Sequence, residues 1–265
     1  MQVRLSIVAA LATLGAAGWA AEAPAQAPGE PELASHRAVY DLKLAESRGK
    51  QSVQSARGRI LYDFAGNACE GYALQFRQVT ELDSGEGKVA VSDLRSTNWE
   101  EGQGKSFRFA STSFLNNQPT EAAEGRAAQK DGKVAIEVSK PQPKQFEAAD
   151  VIFPSEHMRR IIAAAREGKS LLEVGVYDGA ETGERLYNTL TVIGQPIGPE
   201  RPATDAAAGQ PALAGLKRWP VRVSYFDRAK ADSDQTPLYS ISFEAYENGV
   251  SRALKLDYGE FVLTG

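Results

Sequence analysis

Cysteine and histidine are almost missing from this chain of 265 residues, which has one of the first, Cys69, and two of the second, His36 and His157. A single thiol builds no internal disulfide framework, and two histidines far apart in sequence supply too few ligands for a histidine-built metal centre. His36 falls on a predicted strand, and His157 in the first turn of a predicted helix, where it is expected on the surface or at a rim. A dominant charge of one sign is missing too: 30 basic residues stand against 34 acidic ones in a mixed distribution. That balance leaves no electrostatic footprint for nucleic acid or an anionic membrane.

Long apolar runs are absent after the first twenty residues. There, "MQVRLSIVAALATLGAAGWA" sets a cationic Arg4 before an apolar stretch from Leu5 to Ala17, then the small residues Gly18 and Ala20. This is the layout of a cleavable secretory signal. A membrane anchor is the alternative, but the run is short for a span and leads straight into the Pro/Ala-rich "AEAPAQAPGEPE". The expectation is a signal peptide over 1–20, a tail over 21–30, and one domain over 31–265, soluble in the periplasm. Cys69 lies far past the expected cleavage site, which excludes a lipid anchor there. About 230 residues suffice for a sizeable core without disulfides.

Catalytic signatures are also lacking. "GKS" at Gly168 to Ser170 ends a predicted helix, whereas a phosphate-binding loop must begin one so that free N–H groups face the phosphates. "GQGKSF" lacks the third glycine of a dinucleotide loop. "SRGK" from Ser47 has the Ser-x-x-Lys spelling of penicillin-binding enzymes, but it falls between strands and has no partner motif. The carboxylates Asp178, Glu181 and Glu184 in "YDGAETGER" match no calcium-loop spacing and read as a solvated hairpin turn, as "DRAKADSDQ" does more weakly. The residues therefore nominate no catalytic group, no metal ligand and no cofactor site.

What the sequence has in quantity is two-residue alternation. "SHRAVYDLKL" places His36, Ala38, Tyr40, Leu42 and Leu44 on one face, and "RGRILYDF" and "GYALQFRQVTEL" repeat the pattern on either side of the turn formers of "AGNACEG". Asp131-Gly132 and Asn248-Gly249 mark hairpins. About a dozen strands with short turns read as an antiparallel meander. One segment departs from it: "FPSEHMRRIIAAAREGK" sets Met158, Ile161, Ile162 and Ala165 at helical spacing, which predicts one helix near 155–167. The Pro/Ala-rich stretch 194–215 reads as a mobile loop. Tyr40, Tyr62, Tyr72, Phe76, Phe107, Phe109, Tyr225, Phe243 and Tyr246 all fall on one strand face. They are either ordinary core or the lining of an apolar groove in a curved sheet.

The blocks "ASHRAVYDLKL", "ARGRILYDFAGNACEGYALQFR", "SDLRSTNWEEGQGKSFRF", "FPSEHMRRIIAAAREG" and "VYDGAETGERLYN" resemble the EipB family of periplasmic cell-envelope integrity proteins. The resemblance implies an all-β fold with one helix, its long antiparallel meander curled into a spiral-like open barrel. It also implies a non-enzymatic role in envelope integrity, with no known catalytic residue or ligand. The expected partner is an unknown periplasmic or envelope component, with an apolar ligand carried in the concave face as the alternative. The family pattern implies further that Cys69 is half of a disulfide whose second cysteine, near the C-terminus, this chain lacks. The expectation drawn from it is a chain that stops short of the partner, the alternatives being a lost bond and a buried, inert thiol.

Overall fold

The computed structural model describes residues 29–48, 53–85, 87, 89–230 and 236–265. The expected signal peptide, most of the tail, Lys50 and residues 231–235 lie outside them. The alternating segments form strands β1 (His36–Ser47), β2 (Ser55–Asn67), β3 (Gly71–Asp83), β4 (Val89–Glu100) and β5 (Ser106–Leu115). β6 (Gln118–Lys130), β7 (Lys133–Lys140), β8 (Lys144–Ala149) and the two-residue β9 (Val151–Ile152) follow, and then helix α1 (Pro154–Arg166). After it come β10 (Leu171–Val176), β11 (Tyr187–Ile193), β12 (Arg218–Asp227), β13 (Tyr239–Tyr246), β14 (Ser251–Asp257) and β15 (Phe261–Thr264).

The fifteen strands of the described residues join one sheet, ordered from β8 down to β1, then β15 down to β9. Every pairing is antiparallel except β9 with β10. β8 and β9 stand at opposite ends of that order, yet only Asp150 separates them in sequence, in a left-handed conformation at φ 53°. The sheet thus rolls almost into a barrel and leaves a seam where its first and last strands meet. The all-β expectation of a curled open meander with one helix holds.

The turn chemistry follows the residues. Asp131 and Gly132, at φ 52° and 78°, make the two-residue hairpin their sequence announced. "SRALKLDYGEFVL", which reads as one strand, is two: the chain turns at Gly259, φ 83°, so β14 and β15 pair with each other. Along the outer face Arg and Asp side chains pair across strands, as in Arg77 with Asp93 at 2.9 Å. The inner face is apolar, which fixes the register, because a one-residue slip would turn it outward. The stretch 194–215 contains two short 3-10 turns, Ala206–Gly209 and Pro211–Leu213.

The segment from Tyr177 to Leu186 fills the seam. Tyr177 is fully buried and meets the rings of Phe107, Phe109 and Phe146 edge-on at 6.3, 5.7 and 6.5 Å. Its hydroxyl donates to the Gly183 carbonyl at 2.8 Å, so burial leaves no orphan donor. From the opposite side of the seam, Arg228 donates to the Ala149 carbonyl at 2.9 Å. This corrects in part the sequence reading of "YDGAETGER" as a solvated turn: Glu181 and Glu184 are exposed, but Tyr177 anchors the segment in the core and Asp178 is half-buried.

Candidate functional site: the barrel interior

Eight of the nine aromatic residues expected on one face lie on the inner face: Tyr72, Phe107 and Phe109 are buried in core clusters, whereas Tyr40, Tyr62, Phe76, Tyr225 and Phe243 keep part of their surface accessible. Tyr246 departs from the expectation: it pairs with Arg218, whose guanidinium lies 5.9 Å from its ring centre, on the face opposite Trp219 and Ala245, which turn toward α1. Burial pushes the Tyr62 and Tyr225 hydroxyls well above the ordinary tyrosine value. Neither hydroxyl bonds a described protein group. These partly accessible side chains lie on the inner face of the rolled sheet and border its interior, the lumen. Burial likewise pushes the Tyr40 hydroxyl up to about 12; it donates to the Ser251 carbonyl at 2.8 Å.

The cross-strand row Tyr62, Phe76, Ser96, Ser111 shows how the register composes this surface, aromatic on one side and hydroxyl-bearing on the other. On the facing wall Tyr225 and Tyr239 stack with ring centroids 4.5 Å apart, and Tyr187 stands edge-on to both at 5.5 and 6.1 Å. The sequence reading passed over Tyr239, Ser96 and Ser111. Short polar residues alternating on a strand look solvent-facing until the register places them beside Phe76.

Helix α1 fills one part of the interior. Ile161, Ala164 and Ala165 pack on Trp219, Val221 and Val223, and Ile162 packs on Leu33, Phe64 and Tyr72. No side chain of the helix's own first turn caps it. Glu100, at the end of β4 and 2 % exposed, takes that role from 55 residues away: its carboxylate accepts from the Ser155 and Glu156 N–H groups at 2.6 and 2.9 Å. A negative charge there also meets the positive end of the helix dipole. Burial nevertheless pushes the Glu100 carboxyl up to about 7, opposed by those two N–H groups and by Arg159. Arg159 is itself buried, paired with Glu156 at 2.7 Å, bonded to the Gly102 carbonyl, and 5.9 Å from the Tyr72 ring centre. These charges lock the helix to the β4–β5 turn.

His157 is not at a surface or rim, as its place in the first turn suggested; it is 4 % exposed. Its Nε2 lies 3.5 Å from the Thr189 hydroxyl, and burial, with Arg160 nearby, pushes its pKa down to about 4. The helix face that carries Ile161 inward carries the residue four positions earlier with it. Asp178 accepts from the Ala180 N–H at 2.9 Å, and burial pushes its carboxyl up to about 6. His36 is far from both, stacked 5.4 Å from Tyr62.

Cys69 sits exposed in the turn between β2 and β3, where Asn67 Oδ1 accepts from its N–H at 2.9 Å. This excludes the buried, inert thiol weighed from sequence. The disulfide implied by the family pattern has no second cysteine within the 265 residues. Among the described residues, no helix is long and apolar enough to cross a membrane.

A sheet rolled almost shut, a helix set into it and an aromatic inner face define the barrel-like β proteins. Within that class the chain belongs to the EipB-like family, whose pattern it matches over residues 27–265. It is 34% identical over 267 aligned residues to the cell envelope integrity protein EipB of Brucella abortus (strain 2308), across 99% of this chain and 92% of that protein. It is also similar to a crystal structure from Brucella abortus, a beta-barrel-like protein of the domain of unknown function DUF1849. That similarity has a TM-score of 0.81 at 33% identity, covering 88% of this chain and 95% of the other.

Proposed function

We propose that this protein supports the integrity of the cell envelope from the periplasm as a non-catalytic binding or scaffolding module. The observation that carries this reading is the lumen, where aromatic side chains of the inner face keep accessible surface and the Tyr62 and Tyr225 hydroxyls bond no group among the described residues. The envelope role draws on the relative named for it and on the cationic, apolar start of the sequence. The buried charges nearest the interior, Glu100 and Arg159, are engaged in holding α1, a structural task. Deleting the gene should sensitise cells to detergents and cell-wall antibiotics; unchanged sensitivity refutes the envelope role.

A second reading rests on the same lumen: the protein carries a lipid or another apolar ligand inside the sheet. Tyrosine, phenylalanine and serine side chains around a partly accessible interior suit a ligand with an apolar body and a few hydrogen-bonding groups. Native mass spectrometry of protein taken from the periplasm should then show a bound mass, and a consistently empty protein refutes the carrier reading.

A further inference from the structure

Away from the lumen, strands β4 to β8 form a second concavity, a groove of about 920 Å³, near the upper end of the ~300–1,000 Å³ usual for ligand sites. On its open side the apolar groups are Trp99, Ala110 and Pro143; Phe109 and Val138 reach it only from beneath, their side chains being buried in the core. Three cations line it, Arg108, Arg126 and Lys144, and two of them are neutralised: Arg126 pairs with Glu137 at 2.6 Å, and Lys144 pairs with Glu184. The lining carboxylate Glu124 pairs with Lys140 at 2.8 Å. Arg108 remains. Its guanidinium lies 4.8 Å from the Trp99 ring centre, and among the described residues no carboxylate is within ion-pair distance of it.

A guanidinium laid over an indole is held in place and has lost water from that face, while the N–H groups along its edge stay free in a fork that fits carboxylate or phosphate oxygens. The indole itself rests on Gly71, where a Cβ would come within 2.9 Å of the ring, so the platform is fixed from beneath. Apolar surface, one uncompensated positive charge and cancelled charges elsewhere together select a single-headed amphiphilic anion. The geometry points to the groove as a binding site for one monomeric acyl-chain anion, its carboxylate or phosphate on the edge of Arg108 and its chain along Ala110 and Pro143. The site is separate from the lumen.

The test is titration of the purified full chain with octyl, decyl and dodecyl phosphate below their micelle concentrations, followed by Trp fluorescence and calorimetry. Dodecanoate distinguishes a fatty-acid head from a phospholipid-type head; inorganic phosphate and dodecanol are controls. Expected are an affinity that rises about twofold to fourfold per methylene, no measurable binding of inorganic phosphate, and a loss of tenfold or more in Arg108→Ala. Ala110→Trp, which fills the groove from an exposed position, should lose binding equally, while Arg37→Ala, an exposed ion pair on β1, should not. Each variant is accepted only if it melts as the parent does, and Arg108→Lys serves where Arg108→Ala does not. Inorganic phosphate or dodecanol binding as tightly as dodecyl phosphate overturns the proposal, as does no binding at all. Binding that survives both Arg108→Ala and Ala110→Trp places the probe in the lumen and overturns the groove without touching the carrier reading.

Discussion

Replacing Glu100 by alanine removes the cap of α1 and should be among the most damaging single changes in the molecule. Two backbone donors, Ser155 N–H and Glu156 N–H, lose their acceptor inside the protein, and buried Arg159 loses a nearby negative charge. Loss of a helix cap costs about 1 kcal/mol and each buried donor left unsatisfied about 1–3 kcal/mol, against which the relief of burying a carboxylate must be set. A net loss of about 2–4 kcal/mol is expected for Glu100→Ala, and about 1 kcal/mol for Glu100→Gln, which keeps one acceptor.

The pH dependence separates this account from a generic loss of packing. The carboxyl is raised from 4.5 to about 7 in the folded state, so its contribution is fully present below pH 4.5 and is lost as pH rises through about 7. At 1.36 kcal/mol per unit that is about 3 kcal/mol across the window. Urea denaturation followed by circular dichroism between pH 4.5 and 8 should show this decline in the parent, and a flatter profile in Glu100→Gln. Identical slopes in the two proteins, or a Glu100→Ala variant as stable as the parent at every pH, refute the assignment of Glu100 as the cap of α1.

His157 gives the opposite limb. Its pKa is depressed from 6.5 to about 4, so its contribution is present above 6.5 and is lost as pH falls toward 4, about 3 kcal/mol in all; His157→Gln should flatten the acid side of the same denaturation series. Gly179 has φ +69°, and a Cβ there would come 2.3 Å from the Phe109 ring. Gly179→Ala should therefore cost about 2–4 kcal/mol through left-handed strain and overpacking, read as a lowered melting temperature. Cys69, exposed in its turn, should react with a thiol reagent in the native protein at nearly the unfolded rate and give disulfide-linked dimers on non-reducing gels; a protected thiol counts against its placement.

Local periodicity made most of the sheet readable. β1, β2 and β3 alternate cleanly because their outer faces are solvated. β8 and β9 were missed for a physical reason. "KQFEAA" and "VI" are six and two residues long, and they pair at the ends of the sheet, where contacts across the seam replace a second neighbour. The helix was legible to within a residue, but its cap was not, since Glu100 lies on another strand and no local pattern links it to Ser155. The aromatic face was visible as a set, whereas its division into core and lumen depends on the distant segments that cover it, Tyr177 over Phe107 and Phe109 and Ile162 beside Tyr72. Arg108 and Trp99 gave no signal at all, because they become neighbours only through the β4–β5 register.

If the protein acts in the envelope through its open interior, filling that interior abolishes its action. Ser96 points into the lumen between Phe76 and Ser111, and Ser96→Trp fills that space. The decisive measurement is complementation of a deletion strain under detergent challenge with Ser96→Trp, alongside the parent protein, both confirmed to be folded and equally abundant in the periplasm. The parent should restore resistance and the filled barrel should not; full restoration by Ser96→Trp contradicts a role for the open interior.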